Sequence, residues 1–122
     1  MTTASEPASR YALALDLVND AQSIANYEKA HAQIWPAVRE HLHAQGVLQM
    51  QIYRLGTRLF MVMEVDPAAY SAERMTQAAQ SNPVIVRWEE LMWNHQAPTP
   101  WTPAGEKWVP MAKIFDLAAQ KP

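Results

Sequence analysis

Residues 47–65 read VLQMQIYRLGTRLFMVMEV, and this stretch decides the fold. In its first half Leu48, Met50 and Ile52 alternate with Gln49 and Gln51. A period of two means that one side of an extended chain is apolar and the other polar, as in a half-buried strand. Gly56-Thr57 supplies turn chemistry. Residues 58–65, RLFMVMEV, are almost wholly apolar, so this second strand is expected inside a sheet rather than at its edge. Two such runs across a short glycine turn make a hairpin.

Upstream of the hairpin the period changes. Residues 24–45 have helical spacing, with Tyr27, His31, Ile34, Val38 and Leu42 on one stripe. Pro36 removes a donor and crowds the preceding turn, so a kink or a break and restart is expected near Trp35-Pro36. Gly46 is a natural C-terminal stop. Before the helix, residues 11–18 place Tyr11, Leu13, Leu15 and Leu17 on one side of a strand, and Asn19-Asp20 offers a turn or cap.

Downstream, Asp66-Pro67 closes the hairpin. Residues 71–95 are helical in pattern, interrupted at Asn82-Pro83, with Val84, Trp88, Leu91 and His95 at helical spacing. A proline-rich loop, QAPTPWTPAGEKW, follows over residues 96–108, and residues 108–117 read as a closing strand. Pro110 puts the start of that strand at an edge.

The order is strand, helix, strand, strand, helix, strand. It specifies an α+β, ferredoxin-like βαββαβ fold: an antiparallel four-stranded sheet with the helices on one face. The bare face then needs cover. A homodimer packed sheet to sheet, a dimeric α/β-barrel-like assembly, is the expected solution. Residues 1–9 read as a disordered tail and residues 10–118 as a single domain.

Composition narrows the function. With 49% hydrophobic and 18% charged residues the chain can bury a core. The 10 Lys and Arg are scattered and the net charge is -2, which leaves no patch for nucleic-acid phosphates. No cysteine is present, which excludes thiolate chemistry and disulfides. The opening MTTASEPASR lacks the apolar core of a signal peptide, and no apolar run approaches the ~18 residues of a membrane span, so a soluble cytoplasmic protein without membrane partners is expected. His41, His43 and His95 have no matching ligand set, and neither a metal nor another cofactor is expected.

His31 is the residue that the core pattern does not explain. A histidine on an apolar stripe can be a core residue satisfied by a backbone carbonyl, or a general acid/base working near neutral pH. Tyr27, one turn earlier, adds a hydroxyl to the same face, and Trp35 could wall a small ligand. Two carboxylates also stand in apolar strands. Asp16 interrupts Leu and Ala, where it is an exposed edge residue, a cap or a proton-transfer group. Glu64 sits among Met and Val and requires a partner, for which Arg58 and Lys113 are candidates, or a ligand hydroxyl.

The run of residues 27–36, YEKAHAQIWP, resembles the signature of the L-rhamnose mutarotase family: a tyrosine, a histidine four residues on, then Ile-Trp-Pro. The similarity continues through Gly46, Ile52-Tyr53, Leu59-Phe60 with Glu64, Arg87-Trp88 and Phe115. The resemblance implies a small dimeric α+β protein that interconverts the α and β anomers of a 6-deoxy-L-sugar, with no cofactor and a monosaccharide as its partner. It implies that His31 is the proton donor, that Tyr27 contacts the sugar and that Trp88 lines its site.

Two positions depart from the rhamnose pattern. Met50 stands where a sugar-contacting tyrosine is expected, and Glu89 where a second tryptophan is expected. A thioether loses one hydrogen bond and a carboxylate could restore one to a different hydroxyl, so another stereoisomer could be favoured. The stretches IYRLGTRLFMVMEVD and AGEKW look closer to the L-fucose branch of the family.

Mutarotation needs two proton-transfer groups, or one group and a water. His31 is the first, and Tyr27, Asp16, Glu64 and Glu89 are candidates for the second. Two other readings of the same fold stay open: a cofactor-free monooxygenase, and a non-enzymatic dimeric module in which His31 is buried away from any cavity.

Overall fold

The computed structural model describes residues 8–122. The hairpin forms with the bounds its pattern gives: β2 is Val47–Leu55 and β3 is Arg58–Val65. β3 pairs antiparallel with β2 on one side and with β1, Ser9–Leu17, on the other, so the apolar strand is interior. Leu59, Met61, Met63 and Val65 are buried on one side of β3. A register irregularity between Val47 and Gln49 moves Leu48 out of the stripe and leaves it exposed. Of the expected tail, residues 1–7 lie outside the described residues, and Ser9 already belongs to β1.

Both helical segments break where proline requires it. The first becomes α1, Ala21–Ala32, and α2, Pro36–Ala44; the second becomes α3, Ala72–Ser81, and α4, Pro83–Trp93. Pro36 and Pro83 each occupy the first turn of the restarted helix, where a missing N–H costs nothing. α1 starts earlier than its apolar spacing indicates because Asp20 caps it, accepting from Ser23 N at 2.8 Å. α2 ends before Gly46, whose φ of +89° is left-handed. A Cβ there would stand 2.9 Å from Tyr70 N.

All four helices lie on one face of the sheet. Leu17 and Leu59 from the strands join Tyr27, Val38, Ile85, Trp88 and Met92 in one buried cluster, with Ala79 of α3 packed against it. A second cluster, Val47, Met61, Met63 and Val65, adjoins it beneath Met75. The buried stripe of α4 is therefore Ile85, Trp88 and Met92, while Val84 and Leu91 are exposed and His95 lies beyond the helix. The helix is apolar on more than one side, so spacing alone fixed Trp88 but not its neighbours.

The fourth strand corrects the single closing strand expected over residues 108–117. The sheet order is β2-β3-β1-β4, and β4 is only Gln96–Ala97, paired with Asp16 and Leu17. Farther along the same edge β5, Val109–Pro110, pairs with Leu13 and Ala14. Met111 N then donates to Ala12 O at 2.8 Å and the chain leaves the ladder. Prolines at 98, 100, 103 and 110 break the run of donors that one long strand would need. The fold remains the ferredoxin-like one, with an open antiparallel sheet of five short and long strands and four α-helices among the described residues.

Candidate active site

Along β1 and β3, alternate residues belong to opposite sides of the sheet. Asp16 lies opposite Arg58 and Arg10 opposite Glu64 in the register, and both pairs belong to the side away from the helices. Arg58 donates to Asp16 twice, at 2.8 and 3.2 Å, and Arg10 donates to Glu64 at 2.5 Å. Glu64 thus finds its partner in Arg10, not in Arg58 or Lys113. Neither carboxylate is brought to His31, which comes from α1 on the helix side.

Around His31 the structure gathers aromatic rings. The Tyr27 ring lies 4.2 Å from the imidazole, Trp88 lies edge-on at 5.5 Å, and Trp35 meets Trp88 at 5.2 Å. One turn of α1 brings Tyr27 and His31 together, and the break before Pro36 turns Trp35 toward α4. His31 Nδ1 donates to the Tyr27 carbonyl at 2.9 Å, which leaves Nε2 as the acceptor nitrogen of a neutral ring. Burial pushes the His31 pKa below its ordinary value, and the carbonyl bond only partly opposes it.

Tyr27 is 3% exposed, and its hydroxyl accepts from Gln96 Nε2 at 3.3 Å. Burial raises its pKa, the Gln96 bond opposes the rise, and the charge of Glu89 adds to it. His95 lies edge-on to Tyr27 at 6.4 Å and is hydrogen-bonded through Nδ1 to Ser23 Oγ at 2.6 Å. Gln96 and Ser23 were not singled out by the sequence, and His95 was placed there only on the helical stripe and given no role. Gln96 read as the first residue of a loop, and only the β4 bridge to Leu17 shows that it turns inward.

Met50 lies on the helix side of β2, packed against the second cluster with Trp108. Trp108 touches both clusters, so the proline loop folds back over its own subunit. Lys107 fastens it there, donating to Glu89 at 3.3 Å and standing 5.1 Å above the Trp93 ring. Glu89 is consequently half-exposed and paired with Lys107. Among the described residues no three His, Cys, Asp or Glu side chains cluster as a metal site would need, and no helix is long and apolar enough to cross a membrane.

Residues 10–117 match a family model described as L-rhamnose mutarotase. A protein of Xanthomonas campestris pv. campestris called L-fucose mutarotase is 39% identical over 115 residues, covering 89% of this chain and 88% of that one. Among solved structures, an L-rhamnose mutarotase from Formosa agariphila superposes with a TM-score of 0.62 at 21% identity, covering 89% of this chain and 98% of that chain. A dimeric ferredoxin-like protein from an uncultured marine organism gives 0.52 at 15% identity, covering 92% and 94%. At those identities the two structures speak for the fold alone.

Proposed function

This chain belongs to the L-rhamnose mutarotase family, and on that footing we propose that it interconverts the α and β anomers of a 6-deoxy-L-hexose through His31. The observation that carries the reading is the hydrogen bond from His31 Nδ1 to the Tyr27 carbonyl. It orients the ring and leaves Nε2 neutral and free to take a proton, beside a phenol that can give one.

His31 Nε2 takes the proton of the anomeric hydroxyl. The C1–O1 bond becomes a carbonyl, the bond from C1 to the ring oxygen breaks, and its electron pair goes to that oxygen. The Tyr27 hydroxyl protonates it. The open-chain aldehyde turns about C1–C2, and Tyr27 takes its proton back as the ring closes on the other face. His31 is then the proton donor to the new anomeric oxygen. Trp88 and Trp35 offer aromatic faces and edges against which the C–H groups of a sugar can pack.

L-Fucose is the preferred sugar in this reading, ahead of L-rhamnose. Met50 replaces a hydroxyl with a thioether, Glu89 adds a carboxylate, and the Xanthomonas relative named for L-fucose supports the same choice. Anomeric exchange measured by NMR saturation transfer on both sugars, for the intact protein and for His31→Ala, tests the proposal. Faster exchange of L-fucose, lost in the variant by a factor of about 10²–10⁴ while the fold is kept, is the expected result. Exchange no faster than in buffer for both sugars would overturn it.

The functional unit is a homodimer joined through the bare sheet face. Phe60 and Val62 lie half-buried on that face, and a hollow of 220 Å³ opens between Phe60, Ala14 and Trp101. Beyond β5 the chain carries Ile114, Phe115 and Leu117 at 95, 65 and 74% exposure. So much apolar surface calls for a partner, and a second copy presents the same face and arm. Light scattering should give twice the chain mass for the intact protein and a monomer for Phe60→Glu.

A further inference from the structure

We propose that Gln96 is a positioning residue for Tyr27, donating from Nε2 to the phenol oxygen so that the hydroxyl proton is left for the ring oxygen of the sugar. The inference rests on the mutarotase reading for its purpose, but the pairing itself can be measured without any sugar.

Three observations support it. Gln96 is 8% exposed and its Nε2 lies 3.3 Å from the Tyr27 oxygen, which is itself buried. Its other amide atom, Oε1, is buried with no hydrogen-bond partner. A polar atom left in that condition is costly, and an apolar residue of the same shape would avoid the cost. The pairing with Tyr27 is the one hydrogen bond that this amide makes among the described residues. Finally, the side chain is anchored at its root. Leu17 and Gln96 face each other across the β1–β4 bridge, and Val18 N donates to His95 O at 2.8 Å. The bridge fixes the backbone from which the amide reaches Tyr27.

The direction of the bond matters chemically. A phenol that accepts from an amide has its own proton free to give, and the amide then steadies the phenolate that forms. A phenol that donates to the amide oxygen is a poor acid, because giving its proton elsewhere breaks that bond. The groups around Tyr27 are His31 on its own helix, His95 beyond α4 and paired with Ser23 of α1, and the charge of Glu89 on α4.

The test is an ultraviolet difference titration of tyrosine in the full chain, with Tyr27→Phe as the blank that assigns Tyr27's share. Gln96→Leu should move the Tyr27 ionisation upward, and Gln96→Glu should move it upward as well, since a carboxylate holds the phenol proton. In sugar exchange both variants should lose about tenfold in kcat with KM little changed, as expected when a transition-state contact is removed. If the leucine variant fails to fold, the glutamate variant, which keeps the shape, carries the same test. An unmoved ionisation would overturn the proposal, and a downward one would mean that the amide accepts the phenol proton. Should the intact protein fail to speed sugar exchange, the mutarotase reading falls while the titration still decides the pairing.

Discussion

Lowering the pH should switch off anomeric exchange while the protein remains folded, with a midpoint below the ordinary histidine value. In the proposed mechanism His31 is the base through Nε2, a role open to it only when it is neutral. Burial among Tyr27, Trp88 and the α1 backbone disfavours the imidazolium, while the carbonyl bond to Nδ1 survives protonation. The net direction is downward from about 6.5. Below the shifted midpoint each further pH unit removes about tenfold of the neutral form, so the rate falls with a slope of about one decade per unit.

The linkage to stability has the same sign. The folded state holds the His31 proton more weakly than the unfolded state, so the contribution is whole above about pH 6.5 and shrinks as the pH falls toward the depressed folded value. One group cannot unfold the protein over that window, so activity is lost first. The assay is saturation-transfer exchange on L-fucose across the acid range, run beside circular dichroism. His31→Gln should be about 10²–10⁴ slower and should lose the acid limb altogether. A midpoint at or above the ordinary histidine value, or an acid limb that persists in His31→Gln, would refute the assignment of the base.

Gly46→Ala should destabilise the fold by about 1–3 kcal/mol, since alanine resists a φ of +89° and its methyl would meet Tyr70 N; thermal denaturation reads this directly. Tyr27→Phe should cost both activity and stability, the latter by about 1–3 kcal/mol, because it strips the Gln96 amide of its partner. Adding Gln96→Leu to it should restore much of the stability and none of the exchange, which a double-mutant cycle measures. Lys107→Ala removes an exposed pair with Glu89 and should change stability by less than about 1 kcal/mol. It should nevertheless raise KM, because the loop that seats Trp108 loses its fastening.

The parts of the fold written in local chemistry were legible in the sequence. Alternation and a glycine turn gave the hairpin bounds, and Pro36 and Pro83 gave the two helix restarts. The fourth strand was not legible, because two-residue bridges at an edge are set by what β1 leaves unpaired rather than by a pattern of their own. The segment read as a closing strand, residues 108–117, runs on instead into an arm whose Ile114 and Phe115 are left exposed among the described residues. The face of α4 was misread by one residue for a different reason: VIVRWEELMW offers an apolar stripe in two phases, and the sheet below selects the one through Ile85 and Met92. Within the site, Tyr27 and His31 could be placed together from helical spacing, whereas Gln96 could not, since its partner is 69 residues away.

The polar residues that interrupt apolar segments sort by the side of the sheet they reach, and that sorting separates chemistry from assembly. Asp16 and Glu64 stand at positions whose neighbours Leu15, Leu17, Met63 and Val65 are buried, so the strand period sends them to the bare face. There each meets an arginine from the adjoining strand, and the pairs flank Phe60 and Val62. Charges satisfied within one chain can be covered by a second copy with little loss, whereas unpaired ones would oppose it. His31 and Gln96 enter from the other side, where neither forms an ion pair among the described residues and the Tyr27 and Trp88 rings pack around the imidazole. Among the described residues Gln96 Oε1 has no partner, and His31 bonds through Nδ1 to one carbonyl. An incompletely satisfied polar group costs stability on either face. On the helix face the proposed chemistry would match that cost with a use, because an acceptor nitrogen and an unshared phenol proton are what opening a sugar ring requires.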